Sequence, residues 1–242
     1  MNGYTTFRDR TKFLDFESLL DFSPLTQPQK DHMAKVYSTL AYCSLVTFLS
    51  ISLPGPLRQI PFFIGLIVFV GSIAYIISTP EEKASPKRIA AITLVGVGQS
   101  ALIRDFVLSR FNIAPEVITT ALMSSIGMFV AFTLSALSMS SRSWFFLGGI
   151  LGSTMSYMFM VSLMNMFFRS YFVNNVLCLL SLLVHAGFVM YDTQLILKKF
   201  EAGGKNYMAH AILLYVDLVD LFIRVCDVLY KKEESKKEKQ KK

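Results

Sequence analysis

Apolar residues in this chain come in blocks of about 20, and that block length constrains the fold more than any motif does. A hydrocarbon core about 30 Å thick is crossed by about 20 helical residues. Inside lipid only helices and closed barrels satisfy every backbone amide, and these blocks lack the alternation of barrel strands. The blocks fall at 34–53, 59–78, 88–103, 115–137, 144–164, 176–197 and 209–229. Hydrophobic residues are 53% of the 242 and mean hydropathy is +0.48, more apolar surface than a soluble domain of this size carries. The expectation is an all-α polytopic membrane protein whose first partner is the lipid bilayer. One helical bundle spans 34–229, between a polar arm at 1–33 and a lysine-rich tail at 230–242.

The rest of the composition mainly excludes. Residues 1–32 hold no early apolar core, so no cleavable signal peptide is expected. Cys43, Cys178 and Cys226 all sit in apolar blocks and read as small hydrophobes rather than a disulfide framework. No CxxC, HExxH, GxxxxGK or GxSxG pattern is present, which removes the usual metal, nucleotide and hydrolase signals. No cofactor, nucleic acid or enzymatic activity is expected. The net charge of +7 comes largely from the tail KKEESKKEKQKK, expected to be disordered. In the arm, Phe13, Phe16 and Leu20 at helical spacing fit either a surface-lying amphipathic helix or a frayed tail.

Small residues mark close helix packing: Gly96, Gly98 and Ser100 in the third segment, and Gly148, Gly149 and Gly152 in the fifth. The third segment reads as short, ending at Arg104 and Asp105, which can pair at the interface. Trp144, Tyr157 and Tyr171 fit an interfacial aromatic belt. With the N-terminus on the cytosolic side, the arm and the loops after segments two, four and six hold Arg8, Arg10, Lys12, Lys30, Lys35, Lys83, Lys87, Arg88, Arg142, Lys198, Lys199 and Lys205. The opposite loops hold Arg58, Arg104, Arg110 and Arg169, so the bias is twelve against four. The seven lysines after residue 230 break the pattern if the last segment crosses fully. Charge alone slightly favours a re-entrant last segment over a seventh span.

Chemistry concentrates between His185 and Asp227. A charge in a membrane segment costs about 2.5–3.5 kcal/mol on insertion scales, so such residues face a bundle interior or wet cavity and mark functional paths. At about 100° per residue, His210, Asp217, Asp220, Arg224 and Asp227 share about 100° of arc on the last helix. Arg224 follows Asp220 by four residues, a spacing suited to an ion pair. His185 and Asp192 share a face of the preceding segment. A helical hairpin turning near Gly203 and Gly204 brings Asp192 and Asp217 to similar depth. Two carboxylates about 3–4 Å apart in a poorly hydrated site cannot both ionise cheaply, so they share a proton or take a cation. Their oxygens suit Ca²⁺, bound transiently. Asp192 and Asp217, with Asp220 and Arg224, are therefore the candidate pH sensor and ion path; His185, His210 and Asp227 are candidate supports. A plainer reading has Asp192 bonding a neighbouring helix, Arg224 neutralising the stripe, and His185 as a bonded core histidine.

GFVMYDTQLI around Asp192, followed by YVDLVDLF around Asp217, resembles the Bax inhibitor-1 (transmembrane Bax inhibitor motif) family. FTLSAL at 132–137, SRSWFFLGGIL at 141–151 and NMFF at 165–168 extend the resemblance, as do the FLDFESLLDFSPLTQPQKDHMAKVY region and the lysine-rich tail. The resemblance implies a seven-helix bundle with the last helix central. It also implies a pH-sensitive Ca²⁺ leak across the endoplasmic reticulum membrane and suppression of cell death, with the family's aspartate pair at Asp192 and Asp217. Some relatives lock that pair with an arginine in the second segment; FFIGLIVFVGSIAYIIS has none, leaving Arg224 as the candidate substitute. Two other classes compete. The paired aspartates are similar to those of intramembrane aspartyl proteases, but no glycine stands in Leu214-Tyr215-Val216 where a GxGD motif requires one. A membrane scaffold binding Bcl-2-family proteins or channels, with the tail as docking segment, is the main alternative.

Overall fold

In the computed structural model, residues 25–53, 55, 59–79, 85–138 and 144–240 are described, side chains of 144, 145 and 236–240 excepted. The expected arm helix and the loop cations Arg58, Lys83 and Arg142 lie outside those residues, as does the Trp144 side chain. The described chain is seven helices: α1 (Gln27–Ser52), α2 (Phe62–Ser78), α3 (Pro86–Ile113), α4 (Pro115–Leu137), α5 (Trp144–Phe168), α6 (Tyr171–Glu201) and α7 (Tyr207–Gln240). Five of them are long and apolar enough to cross a membrane, and α2 is a shorter apolar helix.

Helix starts follow local chemistry. The Gln29 side chain accepts from the Thr26 amide at 2.8 Å, closing the first turn of α1. Ser85 caps α3 ahead of Pro86, and Ser170 caps α6. Ala114 ends α3, and Pro115 immediately opens α4. The α6–α7 hairpin turns where the sequence predicts: Gly203 has φ +94°, and the Gly204 amide bonds Lys199 O at 2.8 Å.

Long-range bonds define the two ends of the bundle. At the near end, Gln29 meets Glu201, His32 meets His210, and Asn206 bonds Ile76 O. The starts of α1 and α7 therefore lie with the ends of α2 and α6. At the far end, Arg110 pairs with Asp227, and Lys231 bonds Asn174 O at 3.3 Å. The last helix thus runs the depth of the bundle as one unbroken helix. That overturns the re-entrant reading, which loop charge alone had slightly favoured. Its polar stripe is turned to neighbouring helices, with His210 buried and Asp217, Asp220, Arg224 and Asp227 half-buried. It packs against α1, α2, α4 and α6, the central position expected of it.

Three local expectations are corrected. The third helix is not short: Arg104 and Asp105 pair at 2.9 Å, but the helix continues past them to Ile113, carried by Phe106, Val107 and Arg110 packed on neighbours. The lysine-rich tail is helical to Gln240, because Lys, Glu and Gln are strong helix formers extending turns already fixed by packing. Tyr157 is exposed but sits midway along α5, not at a helix end as an interfacial belt requires. The small-residue reading holds in α3: a Cβ on Gly98 would lie 2.7 Å from the Phe69 amide nitrogen of α2. In α5 only Gly148 meets a neighbour, the Tyr191 ring; nothing approaches Gly149 or Gly152.

Candidate functional site

Asp192 and Asp217 lie at similar depth, about 14–15 Å along their helices from the α6–α7 hairpin. The spacing of aspartates from the glycine turn achieves this. Their carboxyl groups face each other across the α6–α7 contact. Asp192 is 8% exposed. The Asp217 Oδ2 atom is sealed from solvent and has no hydrogen-bond donor. A buried carboxylate oxygen without a donor is costly, so the site favours a proton or a cation between the two acids. Among the described residues no group of three or more acidic, histidine or cysteine side chains converges on a metal position. Ca²⁺ takes six to eight oxygens, so this pair can serve an ion in transit with its water but not a saturated site.

Asp220 stands one turn further along, between His185 of α6 and Arg224 of its own helix. The Nδ1 atom of His185 lies 2.6 Å from Ser181 O, making it the bonded core histidine of the plainer reading. Arg224 does not close an ion pair with Asp220, and its Nε is buried without a partner. Nor does Arg224 form an ion pair with either aspartate of the pair; the other charges that act on the two carboxyls are Lys199 and Asp220. It is therefore not the substitute lock considered from sequence.

The polar stripe of α7 does not form one site. His210 bonds His32 of α1 at 2.9 Å, with Phe200 stacked on His32 at 4.4 Å. Asp227 is held by Arg110 of α3 at 2.7 Å, and that guanidinium lies 3.7 Å from the Phe106 ring centroid. His210 and Asp227 are seventeen positions apart, about 26 Å along the helix, and different helices cross α7 at each level. A common angle on a helical wheel therefore does not bring them to a common neighbour. Within the stripe, Asp217 faces Asp192 and Asp220 faces His185, both of α6.

With that geometry established, comparison with known proteins is decisive. A family model described as "Inhibitor of apoptosis-promoting Bax1" matches residues 29–234. This chain belongs to the Bax inhibitor 1 family. It is 36% identical over 236 residues to Bax inhibitor 1 of Rattus norvegicus, covering 94% of this chain and 97% of the relative. It is 33% identical over 238 residues to Bax inhibitor 1 of Homo sapiens, with the same coverage. Even Bax inhibitor 1 of Arabidopsis thaliana aligns over 98% of this chain, at 25% identity. As a family member the chain is a multi-pass membrane protein, and its relatives carry an apoptosis-inhibitor name.

Several polar groups around the site were not singled out from sequence. Tyr37 of α1 approaches Thr133 of α4 and Thr193 of α6 beside Asp192. Gln194 donates to Ala136 O, tying the residue after Thr193 to α4. Tyr215 is fully buried, and its hydroxyl lies 2.5 Å from Thr47 Oγ1, itself 3.0 Å from Gly96 O. Arg88 is 1% exposed; it donates to Thr79 O and, at 2.5 Å, to Asn206 Oδ1. Loop charge counting placed Arg88 at the membrane surface because burial by folded neighbours is invisible to it.

Proposed function

We propose that this member of the Bax inhibitor 1 family is a Ca²⁺ leak of the endoplasmic reticulum membrane, gated by a proton shared between Asp192 and Asp217. The observation that carries the reading is the facing of these two buried carboxyls, one with an oxygen that lacks any donor. Protonated, the pair bridges α6 and α7. Doubly ionised, it repels or draws in a cation, so proton and Ca²⁺ occupancy compete at one place. Restraint of apoptosis follows in this reading from lowering the releasable Ca²⁺ store. The reading includes no enzymatic step and no resident cofactor; Ca²⁺ and H⁺ are the permeant or sensed ions, and Bcl-2-family proteins are partners rather than the agents of flux.

The test is Ca²⁺ efflux from proteoliposomes holding the pure protein, measured across a pH series beside Asp192→Asn and Asp217→Asn. Expected is a flux above empty vesicles whose pH dependence flattens in both variants. If wild type and both variants leak identically at every pH, the gating role is wrong. If folded protein gives no flux at all, the scaffold reading replaces the leak.

A further inference from the structure

A cavity of about 700 Å³ opens between α1, α3, α4 and α7. It lies on the opposite side of α7 from the acids: its α7 walls are Tyr215, Leu218, Val219 and Phe222, which sit about 100–200° around the helix from Asp217. It is therefore separate from the carboxyl pair. Its volume falls within the about 300–1,000 Å³ typical of small-molecule sites.

The wall chemistry selects the occupant. Most hydroxyls that line it are engaged within the protein: Ser44 with Leu40 O, Ser125 with Leu122 O, Thr119 with Pro115 O, and Tyr215 with Thr47; Ser52 lines it from the exposed end of α1. Tyr215 and Thr47 close one end. The remaining lining is largely aliphatic and aromatic, so water finds few partners, and apolar cavities of this kind stay dry. A dry void this large inside a close-packed bundle is unfavourable unless apolar matter fills it. The rim decides which matter. Phe48, Phe111 and Ile126 line the cavity and are also 56%, 48% and 45% exposed, part of the apolar belt that faces the bilayer. The cavity is thus continuous with the lipid interface. Asn112 and Thr119, at the exposed end, lie near the end of α3 and the start of α4, level with the far face of the bundle.

We infer that this cavity is a lipid site that takes a hydrocarbon chain of a membrane phospholipid, admitted from the leaflet at the far end of the bundle. Asn112 and Thr119 stand at the polar mouth, and the chain reaches toward the Thr47–Tyr215 pair.

The experiment uses full-length protein in phosphatidylcholine vesicles doped with a phosphatidylcholine whose acyl chain carries a terminal diazirine. After illumination, adducts are mapped by peptide mass spectrometry. Expected are adducts on cavity walls such as Ile103, Leu218 and Phe222, several-fold above those on the outer belt residues Phe63 and Phe167. Val107→Phe and Ser44→Leu, which fill the cavity from two different helices, should each lower wall adducts several-fold and leave belt adducts unchanged. The belt adducts report that a variant is folded in the bilayer, and either variant suffices. Wall labelling no higher than the belt in wild type overturns the site. So does labelling that survives both fillings, or rapid reaction of Ser125→Cys with an impermeant maleimide, which would mean that water occupies the cavity.

Discussion

Arg88 shows how much a single residue does in this bundle. A guanidinium at 1% exposure would normally be paired with a carboxylate. Here its partners are neutral oxygens, Thr79 O at the end of α2 and Asn206 Oδ1 ahead of α7. Asn206 in turn bonds Ile76 O at 2.9 Å. The planar fork of arginine reaches two acceptors at once, which a lysine ammonium on a flexible stem does poorly. Arg88 thereby anchors the α6–α7 hairpin to α2, the hairpin that sets Asp217 level with Asp192. Arg88→Lys is expected to cost about 1–3 kcal/mol, the range for leaving buried polar partners unsatisfied. The check is a thermal unfolding scan in detergent, where a midpoint unchanged from wild type would show that the hairpin needs no such anchor. The aspartates themselves behave differently. Neither is ion-paired with Arg224, and the Asp217 Oδ2 atom is buried without a donor.

At the scale of helices, the tightest crossing is that of α2 on α3. Gly98 lets the α2 backbone approach so closely that a Cβ would sit 2.7 Å from Phe69 N and 2.9 Å from Gly65 O. Backbone atoms cannot swing aside as a side-chain tip can. Gly98→Val is therefore expected to destabilise by at least about 1–3 kcal/mol, the usual cost of overpacking. Lower yield of folded protein and a lower unfolding midpoint would report it, whereas the same change at Gly149, where nothing approaches, should be near neutral. Such close approach supplies the van der Waals contact that replaces the hydrophobic effect between helices in lipid. The short α2 is held mainly by this contact, while α5 leans chiefly on α6 and stands outermost.

For the molecule as a whole, the unbroken α7 fixes sidedness. Its near end meets His32 of α1 and its far end meets Arg110 and Asn174, so the lysine-rich tail leaves from the face opposite the start of α1. Ser235→Cys should accordingly react with an impermeant maleimide from the side opposite a cysteine placed at Gln27. Labelling of both from one side would mean that the last helix turns back within the membrane. The exposed apolar surface of α2, α4 and α5 forms the lipid-facing belt, with side chains such as Phe63, Met123 and Phe159 exposed. Asp217, Asp220, Arg224 and Asp227 of α7 are meanwhile half-buried among its neighbours.

Sequence by itself determined the class and the number of helices, and it singled out the acid pair for attention. Block length is set by bilayer thickness, and the cost of an acid in lipid makes Asp192 and Asp217 conspicuous without any coordinates. The glycine turn fixed their common depth, because rise per residue is the same in both helices. Tertiary structure alone decided the rest. Periodicity gives an angle on one helix but not which neighbour crosses at that level, so His210 and Asp227 were grouped with the pair although α1 and α3 claim them. Loop charges slightly favoured a re-entrant last segment over a seventh span because they cannot register which helices pack against a polar stripe. Arg88 and the Tyr215–Thr47 bond depend on groups far apart in sequence meeting in space. The cavity beside them exists only as the gap between four packed helices.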